Sequence, residues 1–302
     1  MKVFLTGASG YIGAAAAAAL ARRGHQVTGL VRSADKAKAL NRVEAGAVIG
    51  DLRSPDSYRA AAREADALIH CAVDYAAHAE LDRSAVDTLL DAAGADGSAP
   101  KTVIYTSGVW LYGDTGARAV DETRALDKGF VIPWRLEHEK AVLAAAGKTR
   151  RTLVLRPGCV FGGRGGLTGA WLQSAQEKKA AVIAGEGGNR WAMIHVDDLA
   201  ELYALAAESE LSGELLNAVD GSRDTVLEMA QAASRAMGAG GKVQALTADE
   251  ARRAFGPLAE GLLLDQQVDG SKARRLLGWE PKFSGFAARA DRFALAWSAA
   301  RA

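Results

Sequence analysis

Cysteine is scarce: 302 residues carry two, Cys71 and Cys159. Both fall at the ends of predicted buried strands, where a free thiol behaves as a small hydrophobe, so neither a disulfide framework nor a zinc site is implied. A charge excess is missing as well, with 37 Lys+Arg against 36 Asp+Glu and no basic block. The electrostatic footprint of a nucleic-acid binder is therefore absent. Long hydrophobic runs are also lacking: the longest uncharged apolar stretch, Tyr11 to Ala21, is about half of the ~20 residues a membrane span needs. The first residues read as a strand and not as a basic, then apolar, leader. These absences predict a cytoplasmic protein that binds no metal, nucleic acid or membrane. A monomer or homodimer is expected, with a small-molecule substrate as its partner. Its length fits two unequal packed lobes.

What is present begins at the first residue. The apolar run Met1-Lys2-Val3-Phe4-Leu5-Thr6 leads into Gly7-Ala8-Ser9-Gly10-Tyr11-Ile12-Gly13 and an alanine-rich helix. Glycines at the first, fourth and seventh places let a strand stop abruptly and bring bare backbone to a pyrophosphate at a helix N-terminus. Strand, glycine loop and helix in this order predict a dinucleotide site.

Beyond the loop, apolar runs near 2–6, 26–31, 45–50, 67–72, 102–107 and 152–157 alternate with helical segments at 11–23, 34–42, 55–64, 79–94 and 132–146. Runs without polar alternation belong to a parallel sheet covered on both faces. After Pro157, Gly-rich turns at 158–166 and 185–188 flank a helix at 167–178. An aspartate N-cap is expected in Val196-Asp197-Asp198-Leu199, opening a helix over 198–207, followed by a strand from Glu214 to Val219. From about 224 the pattern is helical, with a capping box in Thr247-Ala248-Asp249-Glu250. The fold class is α/β: a Rossmann-type doubly wound parallel sheet with a smaller, mainly helical C-terminal substrate lobe. Residues 1–165, completed by about 190–220, form the dinucleotide lobe; 166–189 and 221–302 form the substrate lobe.

Further landmarks follow in order: Gly50-Asp51-Leu52, His70-Cys71-Ala72, Tyr105-Thr106-Ser107-Gly108 running on to Leu111-Tyr112-Gly113, Arg156-Pro157-Gly158, His195-Val196-Asp197-Asp198-Leu199-Ala200 and Leu277-Gly278-Trp279-x-Pro281. With the glycine loop, this series resembles the short-chain dehydrogenase/reductase superfamily in its extended and atypical branches, the NAD(P)-dependent epimerase/dehydratase type. The resemblance covers nearly the whole chain. It implies a cofactor site built from Thr6, Gly7, Ser9, Gly10, Tyr11, Ile12, Gly13, Asp51, Leu52, Cys71, Ala72, Thr106, Arg135 and Pro157, with Asp51 on the adenine amino group and Ala72 beside ribose and pyrophosphate.

An enzyme preferring NAD usually carries an acid at the end of the second strand, for the ribose hydroxyls. Here Val31 takes that place and is followed by Arg32 and Ser33. A guanidinium with a neighbouring hydroxyl suits a 2′-phosphate, so NADP is expected over NAD.

The resembled family's catalytic set is missing. Its tyrosine place falls on Val131, its lysine place on Arg135 and its orienting hydroxyl on Gly108, and no tyrosine occurs between Tyr112 and Tyr203. Arg135 can donate to ribose hydroxyls but cannot relay a proton; it could instead pair with Glu139 at i,i+4. The candidate catalytic residues are Tyr112, Ser107 and Arg135, with Tyr75 and His78 as further proton donors. His138, beside two glutamates, is expected to face solvent. Trp191 stands where sugar-nucleotide enzymes of the family carry an arginine, and Arg190 is displaced to the opposite face of the extended segment. Tyr75, Trp110, Val131, Val160, Phe161 and Trp191 are the expected substrate pocket, with Tyr112 and Trp171 adding to an apolar cavity. Three functions compete: an NADP-dependent oxidoreductase of a small, largely apolar carbonyl, enone or imine; a noncatalytic NADP-binding regulator; and a nucleotide-sugar epimerase or dehydratase.

Overall fold

The computed structural model describes residues 1–74, 78–94, 99–116, 118–126 and 131–301, with only the backbone at His78. Seven strands form one parallel sheet: β1 (Lys2–Thr6), β2 (Gln26–Val31), β3 (Gly46–Ile49), β4 (Ala67–His70), β5 (Lys101–Thr106), β6 (Arg150–Pro157) and, later in the chain, β11 (Glu214–Ala218). Their order is β11-β6-β5-β4-β1-β2-β3.

Each strand alternates which face it serves. Val3, Leu5, Ile69, Ile104 and Leu155 pack under α1 (Tyr11–Arg22), α2 (Ala34–Asn41) and α7 (Val196–Glu208). Phe4, Leu68, Val103, Tyr105 and Val154 meet α3 (Asp56–Arg63), α4 (His78–Gly94) and α5 (Trp134–Ala144) on the other face. The alanine run has a packing reason: fully buried Ala16 and Ala17 let α1 lie close to the sheet. Because strand order reverses between β1 and β4, a crevice opens beyond their carboxyl ends, where doubly wound sheets bind ligands.

The smaller lobe is mainly helical, with short strands between its helices. A three-stranded sheet joins β7 (Cys159–Gly162), β8 (Gly165–Gly166) and β10 (Met193–His195), and β9 (Ala181–Ala184) pairs in parallel with β12 (Val243–Leu246). Thus β10 pairs with β7, while α7 packs on the large sheet and β11 joins it through β6. Around these strands lie α6 (Thr168–Lys178), α8 (Val226–Ala236), α9 (Ala248–Phe255), α10 (Leu258–Leu262), α11 (Ser271–Leu277) and α12 (Ala290–Ala299). The capping box forms at α9, where Glu250 N–H donates to Thr247 Oγ1 at 3.3 Å and Thr247 N–H to Glu250 Oε2 at 2.8 Å.

The expected aspartate cap is corrected: the cap is His195. The helix starts at Val196, and the His195 ring accepts from Asp197 N–H at 3.2 Å. Asp198 instead turns inward and accepts from the N–H groups of Lys282 and Phe283 at 2.9 Å each, tying the C-terminal segment to the helix start. Among the described residues no helix is long and apolar enough to cross a membrane.

Candidate dinucleotide site

The three glycines of the loop serve different ends. Gly7 has φ +70°, and a Cβ there would stand 2.7 Å from the Ala72 nitrogen. At Gly13 a Cβ would reach the Gly7 oxygen at 2.2 Å. Packing therefore requires both. Gly10 has φ −75° and ψ 179°, open to any residue, and its Cβ would meet only the Gly7 oxygen, at 3.0 Å. Beyond that lies open space. Gly10 caps α1 with no side-chain hydrogen bond, which leaves the N–H groups of Tyr11, Ile12 and Gly13 without an intrahelical acceptor at the positive end of the dipole. An uncapped helix start over a space free of Cβ atoms fits a pyrophosphate.

Around the loop, Thr6 Oγ1 bonds His70 Nδ1 at 2.7 Å and accepts from Ala72 N–H at 3.4 Å. Ser9 is half-buried. Tyr11 donates to the Gly162 carbonyl at 2.6 Å, and Arg164 donates to the carbonyls of Ser9 and Gly10. Arg32 is exposed just past β2 and has no ion pair or hydrogen bond among the described residues. Ser33 caps α2, accepting from Lys36 N–H at 3.4 Å. Asp51 accepts from Arg53 N–H at 2.9 Å through one oxygen, and Leu52 packs on the apolar layer under α3 and α4.

At the ends of β4 to β6, Thr106 Oγ1 shares a 2.6 Å hydrogen bond with Tyr203 and lies 3.3 Å from the Cys71 sulfur. Burial pushes the Cys71 thiol up to about 11 and the Cys159 thiol up to about 12, so both stay protonated and inert at neutral pH. Arg135 reaches from α5 and donates to the Thr106 carbonyl. Its guanidinium lies over the Trp134 ring at 4.7 Å. A Cβ at Gly108 would meet Ile132 Cδ1 at 3.5 Å and the Pro157 oxygen at 4.0 Å. The structure thus gathers Gly108, Ile132 and Pro157. Val131, next to Ile132, is half-buried with φ +59°, a strained setting for a β-branched residue. Tyr112 is buried and donates to Asn217 Oδ1 at 3.0 Å; burial, against the pull of Arg156, raises its pKa and weakens it as an acid. The Ser107 hydroxyl is enclosed and has no hydrogen-bond partner among the described residues.

On α5 one expectation fails and one of the two alternatives for Arg135 is excluded. His138 is not solvent-facing: it is 5% exposed, and its Nδ1 bonds Asp82 Oδ2 at 2.7 Å. His70 Nε2 meets the other Asp82 oxygen at 3.1 Å, and Tyr105 donates to the carboxylate at 2.7 Å. Nor does Arg135 pair with Glu139, which is buried in a two-pronged ion pair with Arg156 at 2.9 and 2.5 Å. Arg156 meets both oxygens of a buried carboxylate, which needs such a paired charge.

The expected apolar pocket is also revised. Phe161 is fully buried, edge-on to His195, Phe286 and Phe293. Trp191 stacks on Trp171 at 4.9 Å and donates to the Leu262 carbonyl at 3.1 Å. Both are core of the second lobe, because a lobe of short strands needs large rings to fill it. Trp110 and Val160 remain half-buried. Tyr75 lies outside the described residues, as does the His78 side chain. The site contacts with no local sequence signal are Arg164, hidden in a glycine run, and Tyr203, which looks like any buried helical tyrosine.

Fold and loop define a class: a Rossmann-type α/β protein whose glycine turn is shaped for a nucleotide phosphate. The chain belongs to the NAD dependent epimerase/dehydratase family, whose model matches residues 3–218. The 2′-dehydrokanamycin reductase of Streptomyces kanamyceticus is 31% identical over 229 residues, 72% of this chain and 61% of its own. A human epimerase family protein solved with NADPH superposes with a TM-score of 0.80 at 24% identity, covering 98% of this chain and 99% of its own. The UDP-glucose 4-epimerase of Thermus thermophilus, solved with NAD, gives 0.80 at 21% identity over 99% of this chain and 100% of its own.

Proposed function

We propose that the protein is an NADP-dependent oxidoreductase of the atypical short-chain dehydrogenase/reductase type, acting on a small, largely apolar carbonyl, enone or imine. The observation that carries this reading is the uncapped glycine loop beside an unpaired Arg32, at the strand end where an acid would select NAD. A reductase among the relatives and an NADPH-bound structural neighbour support it. When bound, the nicotinamide supplies hydride chemistry. Residues 1–165 and about 190–220 hold the cofactor, while 166–189 and 221–302 enclose the substrate. Arg135 orients the ribose, and Trp191 in place of an arginine leaves no cation there for a sugar-nucleotide pyrophosphate.

Arg32→Ala should weaken NADP about 10-fold or more and leave NAD nearly unchanged, since a charge-assisted phosphate contact contributes about 1.5–3 kcal/mol. Dissociation constants by titration check this. An equal loss for both cofactors would detach Arg32 from the 2′-phosphate.

Substrate placement has its own check. Val131→Phe should raise KM or block turnover and spare NADP affinity, because the residue precedes the Ile132 that lies against Gly108 and Pro157. Unchanged KM and kcat on an identified substrate would move the active site elsewhere.

A second reading, a noncatalytic NADP-binding regulator, is favoured by one observation: the Tyr112 hydroxyl is committed to Asn217 and Ser107 is enclosed. A screen of NADPH oxidation over aldehydes, enones, imines and sugar nucleotides separates the two. Consumption with a carbonyl or imine supports the oxidoreductase, tight NADP binding with no consumption supports the regulator, and turnover of sugar nucleotides alone overturns both.

A further inference from the structure

We infer that Arg164, at the tip of the β7–β8 hairpin, is a ligand of the cofactor pyrophosphate, so that the hairpin clamps the dinucleotide against α1. The inference rests on the dinucleotide reading above. The register Phe161↔Gly166 and Gly162↔Gly165 leaves Gly163-Arg164 as a two-residue antiparallel turn. Gly163 supplies the positive φ, +54°, at the first turn position.

Packing sets where this turn points. Tyr11 donates to the Gly162 carbonyl at 2.6 Å, and a Cβ at Gly165 would stand 3.0 Å from the Tyr11 ring. On the other side a Cβ at Gly162 would lie 2.1 Å from His195 Nε2. Arg301, over the Trp297 ring at 3.8 Å, donates to the Arg164 carbonyl at 3.2 Å and ties the turn to the end of α12. At the tip, Arg164 Nη2 reaches the carbonyls of Ser9 at 3.2 Å and Gly10 at 3.4 Å. Those two residues immediately precede the open N–H groups of Tyr11, Ile12 and Gly13.

The electrostatics call for an anion. A guanidinium held at the positive end of a helix dipole is unfavourable by itself. Among the described residues no carboxylate pairs with it; Asp197 acts on Tyr11, as Arg164 does, but is 63% exposed and lies 3.9 Å from His195 Nδ1. Arg164 uses one of its three nitrogens on the loop and keeps Nε and Nη1 to donate. A pyrophosphate over the helix start would satisfy loop and guanidinium together, as a forked, charge-assisted contact. Arg32 and Arg164 then divide the cofactor, the first taking the 2′-phosphate and the second the pyrophosphate common to NAD and NADP.

The test is calorimetric titration of the unsubstituted protein, Arg164→Ala and Arg164→Lys with NADP, NAD and adenosine 2′-monophosphate, with thermal unfolding as the check on folding. Arg164→Ala should weaken NADP and NAD by the same factor, about 10-fold or more, and leave adenosine 2′-monophosphate, which lacks the pyrophosphate, unaffected. Arg164→Lys should recover part of the loss. The tip is exposed, so melting should hardly change. Normal affinity for both dinucleotides in Arg164→Ala overturns the inference while the dinucleotide reading stands. A loss confined to NADP also overturns it, by moving Arg164 to the 2′-phosphate. An unsubstituted protein that binds neither dinucleotide removes both.

Discussion

Gly10→Val is expected to abolish dinucleotide binding and to leave the chain folded. Its backbone angles are open to valine, and the added Cβ meets only one oxygen, that of Gly7, at 3.0 Å. The rest of the side chain enters the space over the helix start, where a phosphate must approach. Losing two charge-assisted hydrogen bonds there costs about 3–6 kcal/mol, at least ~100-fold in affinity. Gly13→Val is the contrast: its Cβ falls 2.2 Å from the Gly7 oxygen, so it should lower the melting temperature as well. Titration together with thermal unfolding separates the two variants. Normal cofactor affinity in a folded Gly10→Val would show that the loop does not cradle phosphate.

Asp82→Ala should be the most destabilising change outside the loop. The carboxylate is the shared acceptor of Tyr105, His138 and His70, joining α4, α5, β4 and β5 in the interior. Leaving its buried partners without their shared acceptor costs about 1–3 kcal/mol each, several kcal/mol in all. Burial pushes the Asp82 carboxyl up, but the hydrogen bonds from His138 and His70 outweigh it and hold it well below its usual range. A folded value below the unfolded one, about 3.9, means this contribution is fully present above roughly pH 4. It is lost as pH falls through the folded value. Urea unfolding of both proteins at pH 7 and at successively lower pH should show the stability gap narrowing once below pH 4. A gap that widens on acidification would contradict the assignment.

These two residues mark what a single sequence does and does not disclose. The glycine loop is legible because most of its chemistry is local: strand, turn and helix start are adjacent in the chain, and Gly10 and Gly13 answer to Gly7, while Gly7 itself answers to Ala72 beyond β4. The large sheet is legible for a like reason, since continuous apolar runs between helices leave a covered parallel sheet as the only economical arrangement. His138 is different. Flanked by Glu137 and Glu139 it reads as surface, and its burial depends on Asp82 of another helix. The same holds for Glu139, whose partner is Arg156 on β6 and not Arg135 one turn away. Trp191 fails for a third reason: an aromatic side chain filling a core and one lining a pocket leave the same trace in sequence, and only the stacking on Trp171 separates them. Arg164 sits in a run of glycines that reads as loop punctuation until the hairpin places it against Ser9 and Gly10.

The most direct test of the central claim is titration of the unsubstituted protein with NADP and NAD under the same buffer and salt. NADP is predicted to bind at least ~10-fold more tightly than NAD, a difference of about 1.4 kcal/mol, well within the reach of the unpaired Arg32. Equal dissociation constants for the two, or tighter binding of NAD, would contradict the assignment of the cofactor.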